Sequence, residues 1–133
     1  MVLNNLSSLF IEMEQYGLSL EYSKRAAEIY KKVFGETHPE YANCIINIGV
    51  AYSFQGNYQL AENNYLEASD ILLSAFGSVH PLYAQNLCRL GMVNYKKKDF
   101  LKAEGYFFLA MEILKKVISE SHSTYVELQN DMA

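Results

Sequence analysis

The chain has 133 residues, half of them hydrophobic and a fifth charged, with a net charge of −4. That length suits one domain with a single core. An acidic balance with no basic block beyond Lys96-Lys97-Lys98 argues against a nucleic-acid face, and no apolar run is long enough to span a bilayer.

The first ten residues, "MVLNNLSSLF", lack the basic-then-apolar order of a secretory signal. Two cysteines, Cys44 and Cys88, are too few and too far apart for a disulfide framework or a metal site. Free thiols fit a reducing compartment, so a cytoplasmic location is expected. Glycine (7) and proline (2) are scarce, which points to an all-α fold.

Helices are expected over 2–14, 17–34, 39–55, 58–76, 81–97 and 100–119, with a short one over 123–131. Gly35 ends an apolar-periodic run as a C-terminal cap glycine would. Pro39 then opens the next helix, where its missing N–H costs nothing. Ile45, Ile48 and Tyr52 follow at i, i+3, i+7, one helix face. Gln55-Gly56-Asn57 breaks that helix, and Asn57 is placed to cap the next. Tyr58, Ala61, Tyr65, Ala68 and Leu72 continue at helical steps up to Gly77. The pattern then starts again at Pro81, with Asp99 as the second candidate N-cap.

This recurrence has a spacing of 42 residues. His38-Pro39 returns as His80-Pro81 and, decayed, as His122-Ser123. Tyr41 aligns with Tyr83 and Tyr125, Gly49 with Gly91, Ala61 with Ala103, and Ala26 with Ala68 and Ala110. The chain therefore reads as one domain, 1–133, made of units 1–37, 38–79 and 80–121 and a partial fourth unit, 122–133. Each unit is two antiparallel helices that cannot bury their apolar faces alone. Stacked units form a continuous solenoid core. Gly49 and Gly91 lie mid-helix, where glycine costs about 1 kcal/mol against alanine. A cost repeated at one slot implies close helix approach there. Ala61/Ala103 and Ala68/Ala110 would be the complementary small faces, with Tyr52 and Tyr65/Phe107 filling the gaps.

"INIGVAYSFQGNYQLAENNYLEASDIL" resembles the tetratricopeptide repeat: Gly then aromatic on the first helix, Gly-Asn-Tyr at the turn, Ala-aromatic-Ala on the second. The 42-residue period and "GxxHPxYA" linker are similar to the longer variety found in kinesin light chains, nephrocystin-3-like proteins and bacterial caspase-like (CHAT) proteins. The resemblance covers residues 1 to about 127. It implies an α-α superhelix of about three antiparallel helix pairs plus a short C-terminal helix. Departures are Ser7 in the Gly49 slot, Asn94 in the aromatic slot of Tyr52, and Lys98 in the turn-glycine slot. Packing should be altered there.

A catalytic or metal reading of His38, His80 and His122 fails on their spacing. Equivalent positions in a solenoid lie roughly 10 Å apart, whereas metal ligands lie about 2 Å from one ion. A histidine before a helix-opening proline is better explained as packing or capping locally. Glu62/Glu104 and Asp70/Glu112 read as exposed helix charges. No nucleophile elbow or phosphate loop is present, so no enzyme activity, cofactor or metal is expected.

By resemblance, first helices line the concave inner surface. A second stripe on those helices would face it: Asn4, Ser8 and Ile11 in the first unit; Asn43, Ile46, Asn47, Val50, Ser53 and Phe54 in the second; Gln85, Cys88, Arg89, Met92, Tyr95 and Lys96 in the third. About half of this stripe is expected to pack between units, and the rest to form a groove. Ile46, Val50, Phe54, Cys88, Met92 and Tyr95 would give it an apolar floor. The basic set of a carboxylate clamp is missing. The expected function is a non-catalytic protein–protein interaction scaffold, and the expected partner is a protein or peptide with an apolar segment, Arg89 and Lys96 meeting an acidic flank. No nucleic acid or membrane partner is expected. Two alternatives are a regulatory or sensory arm of a larger caspase-like enzyme, and a module that self-associates through exposed solenoid ends.

Overall fold

Glycine and proline divide the chain where the sequence predicts. The computed structural model describes residues 16–132, which form helices α1 (Tyr16–Phe34), α2 (Pro39–Phe54), α3 (Tyr58–Phe76), α4 (Pro81–Lys96) and α5 (Phe100–Met132). Each packs on the next in sequence, α1 on α2 through to α4 on α5. Sequential antiparallel packing is what short connections enforce.

Two kinds of connection alternate. Gly35 and Gly77 end α1 and α3 at φ of 89° and 83°, which side chains rarely adopt. His38 and His80 then cap the following helices: each Nδ1 accepts the backbone N–H two residues on, at 3.1 Å. Each ring also stacks on the aromatic that closes the preceding helix, His38 on Phe34 (4.5 Å) and His80 on Phe76 (4.2 Å). The local role expected for these histidines is thus observed. The other connection is a Schellman turn. Asn57 N–H donates to Tyr52 O and Gly56 N–H to Ser53 O; one repeat later Asp99 N–H donates to Asn94 O and Lys98 N–H to Tyr95 O. Lys98 adopts φ of 67° in the slot of Gly56.

Two local expectations need correction, the Asn57 cap and the separate C-terminal helix. Asn57 makes no side-chain cap bond; its backbone is already committed to the Schellman turn and to Ala61. Asp99 does cap as expected, its Oδ1 accepting from Lys102 N–H at 3.4 Å. The short separate helix expected over 123–131 is also absent: it is the end of the 33-residue α5. Ser119 and Ser123 occupy the places of Gly35/Gly77 and Pro39/Pro81. With neither the glycine nor the proline, nothing stops the helix.

The core runs along the helix pairs as one cluster, from Ala26 and Tyr30 through Ile45, Ile48 and Leu72 to Leu90, Val93 and Ile113. Gly49 and Gly91 are buried where helices of one unit touch. A Cβ on Gly49 would lie 2.7 Å from the Tyr65 ring and 3.3 Å from Ala61 O; one on Gly91 would lie 2.7 Å from Phe107. Close approach is the reason for these glycines, and the aromatic ring is the surface approached most closely.

Candidate functional site

α2 and α4 run side by side over α3, and the trough between them contains two clefts. The first, about 270 Å³, lies between their N-terminal halves and the end of α3. It is lined by Glu40, Asn43 and Ile46 from α2, Leu72 and Phe76 from α3, and Leu82, Gln85 and Arg89 from α4. The second, about 190 Å³, lies between the C-terminal halves. Val50, Ser53 and Phe54 face Met92 and Lys96 there, with Tyr65 beneath. Arg89, half-buried, borders both.

Most of the residues expected in the groove on α2 and α4 meet here. Asn43, Ile46, Gln85 and Arg89 share the first cleft, while Val50, Ser53, Phe54, Arg89, Met92 and Lys96 share the second. Ile46 contributes only an edge, being 7% exposed and otherwise part of the core. Phe54 and Met92 are open to solvent. Asn47 and Cys88 are half-buried and line neither cleft. Tyr95 is placed elsewhere: its ring meets Phe100 edge-on at 5.3 Å, in a third cleft with Phe107, Phe108 and Met111. It sits in the last turn of α4, where the Schellman turn aims it at the start of α5. Asn4, Ser8 and Ile11 lie outside the described residues.

Sequence reasoning missed Leu72, Phe76 and Leu82. The signal was available: Phe76 closes α3 four residues before His80, and its ring, stacked on His80, lines the first cleft. Burial pushes the Tyr65 phenol up to about 12, against a lowering influence from Arg89. It therefore meets the groove as a neutral hydroxyl beside a permanent cation. Burial likewise pushes the Cys44 thiol up to about 11, so it behaves as a small core residue.

Behind the groove lies a feature the periodicity misassigned. Glu62 was expected to be an exposed helix charge, but it is 3% exposed. Its Oε2 accepts from Asn94 Nδ2 at 2.7 Å and its Oε1 from Lys97 Nζ at 3.0 Å, with Lys102 Nζ at 3.7 Å. Burial opposes its ionisation, but these hydrogen bonds and charges outweigh burial and hold the carboxyl below its usual range. Asn94 in an aromatic slot was the visible clue. A polar group buried at one slot demands a partner at another. The other three acidic positions do stay out of the core: Asp70 and Glu104 are exposed, and Glu112 is intermediate.

Among the described residues no group of three or more His, Cys, Asp or Glu side chains could hold a metal ion. No helix among them is long and apolar enough to cross a membrane.

Comparison with known proteins agrees with this architecture. The model of the tetratricopeptide repeat matches residues 1–74 and 55–116. None of the curated proteins matches the sequence. Among solved structures, the crystal structure of BtubC (BKLC) from P. vanneervenii is similar, at 26% identity and a TM-score of 0.79. The match covers 86% of this chain and 46% of that one, so the chain spans about half the length of that relative. Repeats of this kind are themselves non-catalytic and typically mediate protein–protein interaction. By the match of its sequence and the pairing of its helices, the chain belongs to the tetratricopeptide repeat family.

Proposed function

We propose that the trough between α2 and α4 binds a segment of a partner protein, either an extended peptide or one face of a helix. The carrying observation is that two side-chain-sized clefts lie in sequence along the same two helices and share Arg89 at their boundary. The ligand that fits places an apolar side chain in each cleft and a carboxylate between or beside them. Phe76 and Leu72 would receive one apolar group, and Val50, Phe54 and Met92 the other. Arg89 would pair with the carboxylate, and Lys96 would extend the basic contact outward. Ile46 and Val50 on α2 and Cys88 and Met92 on α4 stand where a carboxylate clamp would carry its basic set, which disfavours capture of a free C-terminal carboxylate. A cytoplasmic setting suits the two unpaired thiols, Cys44 and Cys88.

Selection from a random peptide library, followed by calorimetry, tests this reading. Selected peptides should alternate apolar and acidic residues. Val50→Glu with Met92→Glu should cut their affinity by tenfold or more while leaving the helical circular dichroism unchanged. Arg89→Ala should weaken acidic peptides selectively and flatten their salt dependence. Undiminished binding by the Val50/Met92 double variant would refute the groove assignment.

A further inference from the structure

α2 and α4 carry only three charged side chains between them, Glu40, Arg89 and Lys96. All three line the trough: Glu40 in the first cleft, Lys96 in the second and Arg89 at the boundary. Among the described residues none of the three forms an ion pair. The whole chain has a net charge of −4, yet its trough holds two cations and one anion. Helix dipoles favour an acid in the first turn of α2 and a base in the last turn of α4. Arg89 lies mid-helix, where no dipole accounts for it, and it is half-buried. The charges are also evenly spaced. In the 42-residue register Glu40 stands level with Leu82, seven residues before Arg89, and Lys96 follows seven residues after it. Seven residues are nearly two helical turns, so the three fall on one side, about 10 Å apart along the trough.

We propose that the trough selects a polyproline-II segment with ordered charges: a basic residue over Glu40, an acidic one three residues along over Arg89, and a second acidic one three residues farther over Lys96. This rests on the groove reading above and adds order, spacing and backbone form to it. In polyproline II every third residue returns to one face, about 9 Å along, close to the step between the charges. A β-strand returns every second residue, about 7 Å along, and falls out of step by Arg89. A helix is about 10–12 Å across, as wide as the spacing of packed helices, so it rides on the rim above Leu72 and Tyr65. Of the three faces of the segment, two meet the concave trough. One carries the charges and the next lowers an apolar side chain into each cleft. The third faces solvent. Arg89 contributes most, because a half-buried guanidinium without an ion pair gains its carboxylate from the ligand. Glu40 and Lys96 are exposed, and they set the order mainly by repelling the wrong charge.

Calorimetry with heptapeptides blocked at both ends tests the order. Lys-Leu-Pro-Asp-Leu-Pro-Glu, in one of its two chain directions, should bind about fivefold or more tightly than the permutation Asp-Leu-Pro-Lys-Leu-Pro-Glu in either direction. The two have the same composition and net charge, so only order separates them. A double-mutant cycle between Arg89→Ala and Asp→Asn in the peptide should show about tenfold coupling. Glu40→Lys should weaken the ordered peptide about threefold and favour a version with Glu in place of its Lys. Lys96→Glu should likewise favour a version with Lys in place of the terminal Glu, and it reads the order from the other end if Glu40→Lys fails to fold. Equal binding of ordered and permuted peptides, no binding of the ordered peptide at millimolar concentration, or no coupling at Arg89 would each overturn the proposal. In any of these cases, library-selected peptides whose binding is abolished by Val50→Glu with Met92→Glu would leave the groove standing without the order.

Discussion

Between α1 and α2 the register positions that meet across units hold Leu20, Ala27, Cys44 and Tyr52; between α3 and α4 the same positions hold Glu62, Ser69, Asn86 and Asn94. At these four positions the first junction is apolar: Cys44 is fully buried and Leu20 and Tyr52 pack against the core, beside the buried Ser19 and Ser23. The second is a hydrogen-bonded network among residues that are almost wholly buried. Backbone register is thus independent of what fills it, provided both sides change together. A junction mixing the two chemistries would bury Glu62 or Asn94 against hydrocarbon, so the network specifies which helix follows which. It does so at a cost in stability, since Asn86 Oδ1 and Asn94 Oδ1 are buried without hydrogen-bond partners.

The largest effect should come from breaking one side of the network. Asn94→Leu removes the bond to Glu62 while leaving its carboxylate buried, and should lower unfolding free energy by about 2–3 kcal/mol in urea titration. Adding Glu62→Leu should restore the parent stability or exceed it, because the junction then resembles that of α1 and α2. A double variant as unstable as the single would show that the two junctions are not interchangeable.

Acid should separate the junctions without mutation. The folded-state pKa of Glu62 is depressed, so its contribution is present above the unfolded value of about 4.3. That contribution is lost as pH falls through the lower folded value. Thermal melts of the parent should therefore lose stability more steeply below pH 4.3 or so than melts of the Glu62→Leu, Asn94→Leu variant. Equal slopes would mean that Glu62 carries no linkage.

Within units the comparison narrows to Gly49 and Gly91. Gly49→Ala drives a methyl into the Tyr65 ring, which is 3% exposed and confined. It should cost about 1–2 kcal/mol net of the helix-propensity gain. Gly91→Ala should cost less, because Phe107 is only half-buried and borders an open cleft. The smallest effect belongs to Lys98, which holds the turn conformation that Gly56 holds in the preceding unit. Lys98→Gly should raise stability by about 1 kcal/mol by relieving left-handed strain.

The helix boundaries were legible because glycine, proline and the 42-residue period mark them independently. The boundaries observed for α1 to α4 fall within a residue of those expected. The same reasoning overran at 119–123, where the period predicted a turn but serines replaced the residues that make one. That Val50, Arg89 and Met92 would share one side of the helices was legible from the helical period, and they line one cleft. Placement was not legible where tertiary neighbours decide, as with Tyr95 turning toward Phe100. Glu62 was misread for a related reason: helical period says which face a residue occupies, while burial depends on what the opposing helix offers.

Cys44 has a consequence for kinetics. Its sulfur has no solvent exposure in the closed state, so a thiol reagent reaches it only when the helices around it part. Its labelling rate is therefore a clock for the opening of the first helix pair, built into the natural sequence. Cys88, half-buried on α4, supplies a less protected thiol for reference. The ratio of the two rates reads out how often one end of the array breathes.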